Sequence, residues 1–322
     1  TQGWYEHKKA FIRGGIWKNF FSRYPESNWM HKRMLSLSAR LAKLPKKQQS
    51  DEMRQKLYES QANDAYWHGM FGGLYLPHLR CALYKAMLEL EVMLDACKPR
   101  RISFVEDTDL DGVREVYLHN GTLQAIVKLD SYASICELDA YELHHNFGDT
   151  LRRQIEHYYQ KIQAGHRDSS QHSGDGIASA HDRISFKHEI NASDIVADDH
   201  PRSLFVDSLN HVPVAYTSNS SALENLHFVS HHAENIVHKL FMLEKNQLHV
   251  LYRFSAKTKQ SFSTQINLAM PSCDGMGGRY RYQNEVLGGF GQWIELSNFT
   301  EMTLDDDTLN GHVVLKTSAP VN

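Results

Sequence analysis

Between Gln61 and Arg80 the chain reads QANDAYWHGMFGGLYLPHLR. A carboxylate (Asp64), an indole (Trp67), an imidazole (His68), two phenols (Tyr66 and Tyr75) and a Gly-Gly pair stand directly before an apolar run. That chemistry suits a sugar ring, whose C–H face stacks on an indole while its hydroxyls exchange hydrogen bonds with polar neighbours. The same residues also fit a buried helix–loop junction, with Trp67 and Tyr75 in a core and Gly72-Gly73 making a tight turn.

A second set lies at Asp107, Asp109 and Asp111, followed by Gly112, Val113 and Glu115. Carboxylates at alternate positions before a glycine let a short loop aim oxygens at one point, which is how a hard cation such as calcium is held. An EF-hand loop requires Glu at its twelfth position, and Leu118 stands there. The two readings are therefore a shorter calcium loop, using Asp107, Asp109, Asp111, the Val113 carbonyl and Glu115, or a solvated acidic turn. Among the 20 histidines, His227 and His231 have the spacing that bridges a metal on a helix, without a third ligand or a neighbouring Glu. Adjacent pairs such as His144-His145 point in different directions on any regular element. HExxH, GxSxG, GxxxxGK[ST] and zinc-type Cys–His spacings are all absent.

The elements that must position these groups change character along the chain. Residues 1–24 are rich in Gly, aromatic and basic residues and lack a helical period. Pro25 sits where a helix can start, and Met30, Met34, Leu37, Leu41 and Leu44 then recur on one face. Asp51 opens a second helix to about Ala62. Pro77 opens a third, with Leu76, Leu79, Leu83, Met87, Leu90 and Leu94 as its stripe, until Pro99 closes it. Beyond Pro99 the period becomes alternating. Val116 and Leu118, then Leu123, Ala125 and Val127, flank Asn120-Gly121, a hairpin signal in which both turn residues accept positive φ. The pattern recurs around Lys245-Asn246 and before HVVLKTS at Asn310-Gly311. One amphipathic helix is expected to interrupt the strands, with Leu151, Ile155, Tyr158 and Ile162 on a face, and residues 165–180 read as a polar loop.

The expected fold is thus α+β and multidomain: an N-terminal helical bundle over residues 1–99, then a mainly antiparallel β-sandwich over residues 100–322. The last strand lacks a returning partner, so the sandwich is expected to be truncated at that edge. A net charge of −3 excludes a global basic field and argues against nucleic acid as a partner. No apolar run is long enough for a membrane span. Cys81, Cys97, Cys136 and Cys273 form no CxxC pair, which suits a reducing compartment and points to the cytoplasm. The chain opens without Met, and a preceding domain is expected.

NDAYWHGMFGGLYLPHLR, with Arg13-Gly14-Gly15-Ile16-Trp17, Tyr24-Pro25-Glu26-Ser27-Asn28 and Met30-His31-Lys32-Arg33-Met34, resembles glycoside hydrolase family 57, within it the 4-α-glucanotransferase and α-amylase branch. The similarity continues more weakly through DTDLDGVREVYL, Ser179-Ala180-His181-Asp182 and residues 202–207. The resemblance implies a catalytic barrel, then a helical domain, then a β-sandwich, with this chain being the second and third. It implies retaining cleavage of α-1,4-glucans by a Glu nucleophile and an Asp acid/base about 5 Å apart, both in the barrel and neither in this chain. Asn63, Asp64, Tyr66, Trp67 and His68 would then line the glucan cleft, Trp67 stacking a glucose ring and Asp64 and His68 bonding hydroxyls or orienting catalytic groups. Ala62 departs from relatives that often carry Cys there. No cofactor is required by this chemistry, calcium being the one ion the residues suggest.

Two functions follow as expectations. In the first, the chain is the C-terminal region of an enzyme acting on maltooligosaccharides, inactive without its barrel. In the second, it is a non-catalytic carbohydrate-binding or assembly module whose sandwich holds glucan on exposed aromatics such as Tyr280, Tyr282 and Trp293, with Gly277-Gly278 and Gly288-Gly289 shaping loops around them. Those aromatics also fit as sandwich core, the reading preferred from sequence.

Overall fold

The computed structural model describes residues 15–69, 71–156, 159, 190, 195–218, 226–232, 234–273 and 275–322. Four α-helices come first: α1 (Trp17–Arg23), α2 (Pro25–Ala42), α3 (Asp51–Glu59) and α4 (Pro77–Cys97). Proline opens α2 and α4, where its fixed φ costs nothing and its missing N–H would have had no partner. The Ser50 hydroxyl caps α3 by accepting the Met53 N–H at 3.1 Å. The stripes meet in one core, where Met30, Met34, Leu37 and Leu41 pack with Met53, Leu57, Leu83, Met87, Leu90 and Leu94. α1 departs from the sequence expectation. Its seven residues are too few to show a period, and Asn19 fixes its start by accepting the Ile16 N–H at 2.9 Å.

Strands follow in the order β1 (Ser103–Glu106), β2 (Glu115–His119), β3 (Leu123–Lys128), β4 (Ile135–Ala140), β5 (His145–Asn146), β6 (Leu204–Leu209), β7 (Val212–Pro213) and β8 (Thr217–Ser218). Then come β9 (Leu226–His232), β10 (Asn235–Glu244), β11 (Gln247–Ser255), β12 (Phe262–Ile266), β13 (Gly278–Tyr282), β14 (Glu285–Gly289), β15 (Phe299–Asp306) and β16 (Gly311–Val321). The central sheet runs β1-β2-β3-β4-β6-β12, with β5 on β4 and β7 on β6. A second runs β11-β10-β9-β8 and a third β14-β13-β15-β16. All pairings among the described residues are antiparallel.

The central sheet is covered on both faces. Val116, Leu118, Ala125, Val127 and Ile135 pack on Phe228, Val237 and Phe241 of the second sheet, which makes the sandwich. Tyr117 and Ile126, at the alternate positions, turn the other way and meet Trp29 of α2. The third sheet joins at one end, where Leu304 packs with Ala140 and Phe147. The polar residues that alternate with the apolar ones are therefore buried as well. Gln124, Glu137 and Asp139 are all sealed from solvent against α2 and α4.

Three local expectations change. At Asn120-Gly121 only Gly121 has positive φ, because the Asn120 side chain closes the turn by accepting the Thr122 and Leu123 N–H groups. Residues 151–156 are not helical: Leu151 packs on the helical core but Ile155 is exposed. Tyr158, Ile162 and residues 165–180 lie outside the described residues. His227 and His231 sit on β9, where residues four apart are about 13 Å apart, too far to share an ion. The His227 Nε2 instead lies 2.9 Å from Nδ1 of His238 on the paired strand.

Candidate functional site

Two short 3-10 turns, over Asn63–Tyr66 and Gly73–Tyr75, carry the aromatic segment between α3 and α4. The Tyr66 ring is inserted in the helical core, and its hydroxyl donates to the Ser60 carbonyl at 2.7 Å. That corrects the expectation of a sugar contact at Tyr66, whose polar end is already used and whose faces are covered. The Ser27 hydroxyl holds the Tyr66 carbonyl from α2. Trp67 follows and turns outward, 43% exposed. Asn63 and Asp64 are exposed beside it.

The outward pose is fixed from behind. The Leu74 N–H donates to the Trp67 carbonyl at 2.7 Å, and this approach demands glycine at position 73. Gly73 has φ +50, and a Cβ there would fall 1.9 Å from the Trp67 oxygen. Gly73→Ala should therefore both cost at least about 2 kcal/mol and release Trp67. Urea unfolding and the change in Trp67 fluorescence against a Trp67→Phe background check the two parts.

His68, the next residue, sits in an aromatic cage. Its ring stacks on Tyr75 at 5.0 Å and meets Tyr24 and Phe20 edge-on at 4.7 and 5.2 Å. Burial lowers its pKa, so the ring is neutral at pH 7. Its Nε2 is closed from solvent and has no hydrogen-bond partner, which leaves that nitrogen out of reach of a sugar hydroxyl. The cage is locked by Glu156, which sequence reasoning missed. Its carboxylate accepts the Tyr24 and Tyr75 hydroxyls at 2.9 and 2.7 Å and pairs with Arg23 at 3.2 Å. Nothing local marks Glu156, since Tyr24 lies 132 residues away. A buried pair, Arg80 with Asp149 at 2.9 Å, anchors the start of α4, and Arg80 also donates to the Leu74 carbonyl.

Further exposed apolar side chains accompany Trp67. Trp17 of α1 is 42% exposed with its ring 6.4 Å from Tyr66, and Phe71 is 86% exposed. α1 and the loop before α4 thus each leave aromatic side chains open to solvent. Such side chains can stack planar apolar faces, and polar neighbours can offer hydrogen bonds.

The acidic loop lies elsewhere. Asp107, Asp109 and Glu115 bring one oxygen each to within 4.8 Å of one another. Asp111, expected among the ligands, turns instead to Lys128 and accepts the Val113 N–H at 2.7 Å. In the third sheet, Tyr280 packs edge-on against Phe290 at 5.1 Å, as a core residue does. Trp293 does not follow the core expectation, being 87% exposed with its Nε1 donating to Glu295 at 3.1 Å. Tyr282 borders a depression of about 340 Å³ together with Arg281, Asn284 and Glu301.

Comparison with known proteins gives these features a lineage. A family described as alpha-amylase/4-alpha-glucanotransferase, middle domain, matches residues 15–94, and its C-terminal counterpart matches residues 107–322. The chain is 36% identical over 203 residues to a protein named 4-alpha-glucanotransferase from Thermococcus kodakarensis, covering 63% of this chain and 29% of that protein. It is 38% identical over 182 residues to one named alpha-amylase from Pyrococcus furiosus, covering 56% of this chain and 25% of that protein. A crystal structure of 4-alpha-glucanotransferase from Thermococcus litoralis shares the fold, with a TM-score of 0.65 at 23% identity over 98% of this chain and 50% of the other. The chain thus spans between a quarter and a third of the two curated relatives. With the helical segment matched by one family model and the strands by the other, the chain belongs to the alpha-amylase/4-alpha-glucanotransferase branch of glycoside hydrolase family 57.

Proposed function

We propose that this chain is the C-terminal region of a cytoplasmic 4-α-glucanotransferase or α-amylase that cleaves α-1,4-glucans with retention. Its aromatic surface forms one lip of the glucan cleft, and the nucleophile and acid/base lie in an N-terminal barrel outside these residues. The outward, back-braced indole of Trp67 carries this reading. Its free face matches the C–H face of a glucose unit, and the exposed Asn63 and Asp64 are placed to bond that sugar's hydroxyls. Asp64 has no role as a catalytic acid here, because retention needs a carboxyl pair and that pair is assigned to the barrel.

The test uses the complete enzyme. Trp67→Ala should raise KM for maltooligosaccharides about tenfold, equivalent to about 1.4 kcal/mol of lost stacking. An unchanged KM with intact folding would remove Trp67 from the cleft. The 322-residue chain incubated alone with maltooligosaccharides should leave their chain lengths unredistributed. Turnover by the chain alone would place a catalytic pair within it.

A second reading is favoured by the exposure of Trp293. A glucan-binding sandwich would be retarded in gels containing α-glucan, and Trp293→Ala, not Trp67→Ala, would abolish the retardation.

A further inference from the structure

The loop between β1 and β2 holds more negative charge than the protein itself answers. The Asp109 carboxylate accepts the Asp111 N–H at 3.2 Å and lies 3.2 Å from the Lys128 ammonium. Asp111 takes the same ammonium at 2.5 Å. Lys128 is thereby committed to the outer side of the loop, and its distance to Glu115 is 3.8 Å, beyond hydrogen-bond reach.

On the inner side two carboxylates each keep one oxygen without a donor. Glu115 is fully buried; its Oε2 accepts the Thr108 N–H at 2.9 Å, but Oε1 is sealed from solvent and has no hydrogen-bond partner. Asp107 repeats the arrangement, with Oδ2 accepting the Gly112 N–H at 3.1 Å and Oδ1 buried without a partner. Leaving a buried carboxylate oxygen unanswered is costly. Both residues belong to the trio, with Asp109, whose oxygens converge within 4.8 Å.

We propose that Asp107, Asp109 and Glu115 bind a divalent cation, calcium, in the loop that leads into the central sheet. Oxygens at this spacing bracket an ion whose bonds are about 2.3–2.6 Å long, whereas magnesium requires about 2.0–2.1 Å in a near-ideal octahedron. The ion satisfies the two orphan oxygens, and it shares Asp109, and more distantly Glu115, with Lys128. It also stiffens the helical side of the molecule, because the Asp109 carbonyl accepts the Asn28 side chain of α2 at 2.7 Å.

Calorimetric titration of EDTA-stripped protein with calcium chloride, paired with thermal melts, tests the site. The expected result is one ion bound with Kd of about 0.1–1 mM and a Tm rise of roughly 3–10 °C at 10 mM calcium, with magnesium far less effective. Asp107→Asn and Glu115→Gln should each weaken binding at least tenfold and remove the Tm rise. Should Asp107→Asn fold poorly, Glu115→Gln still decides, because it deletes a buried charge and should melt no lower than the parent in EDTA at pH 8. Lys128→Met should keep or tighten calcium binding. Neither heat nor a Tm change at 10 mM calcium, or a response that survives both carboxylate substitutions, overturns the assignment.

Discussion

Arg33→Leu should destabilise the protein by about 3–5 kcal/mol, one of the two largest losses expected from a single side chain. Arg33 lies on α2, almost fully buried, where its guanidinium meets Glu137 at 2.9 Å and Glu91 at 3.2 Å, with Asp139 at 3.9 Å. Two of these carboxylates come from β4 of the central sheet and one from α4. Arg40 and Arg100 complete the cluster by pairing with Glu91 at 3.1 and 3.0 Å, and Trp29 Nε1 donates to Glu137. Leucine keeps most of the volume but strands acidic groups in a region that excludes water. The cost is therefore that of uncompensated charge, larger than the modest net value of the intact pairs.

Acid titration reports on the same cluster. Burial alone would raise the Glu91 pKa, but Arg33, Arg100 and Arg40 outweigh it and hold the group at about 2. A depressed carboxylate contributes stability that is complete above its unfolded pKa, near 4.3, and is lost as the pH falls toward the folded value. Stability from Glu91 should thus decline between about pH 4.5 and 2. In Arg33→Leu the loss should begin at higher pH, and urea unfolding at a series of pH values measures both effects.

Lys239→Met should cost about 3 kcal/mol, at the lower end of the range for a broken buried pair. Lys239 is a fully buried residue of β10, ringed by Tyr216, Phe241 and Tyr252, with its ammonium 2.8 Å from Asp207 on β6. It also donates to the Phe205 carbonyl. Asp207 keeps two donors when the lysine goes, the Tyr216 and Tyr252 hydroxyls at 2.8 Å each, which moderates the loss. Adding Asp207→Asn should recover part of it by removing the stranded charge while leaving an oxygen for those hydroxyls. A double-mutant cycle in urea gives the coupling, and strict additivity would show that the pair contributes no specific bridge between the two sheets.

These buried pairs bear on the aromatic surface as well as on stability. α2 carries Arg33 inward to the central sheet and Ser27 toward the Tyr66 carbonyl. The helix that anchors the base of the Trp67 turn is thus itself anchored to the strands. The stacking role proposed for Trp67 requires a rigid support, because a ring held loosely must lose its own freedom on binding.

The sequence by itself determined the helices opened by Pro25 and Pro77, the hairpins around residues 120, 245 and 310, and the family, since local spacing and long ordered motifs encode all three. It also singled out Trp67 as a candidate, as an indole among polar residues beside glycines. Three matters were decided only in tertiary structure. The polar residues of β3 and β4, Gln124, Glu137 and Asp139, are sealed against two helices that begin as far back as Pro25 and Pro77. Tyr66 and Trp67 look equivalent in sequence, and only the path of the 3-10 turn sends one into the core and the other outward. Glu156 carries no local signature, and its role comes from the meeting of two tyrosines and an arginine at one carboxylate. The common reason is that backbone periodicity states which residues share a face, whereas what covers that face depends on contacts between segments far apart in the chain.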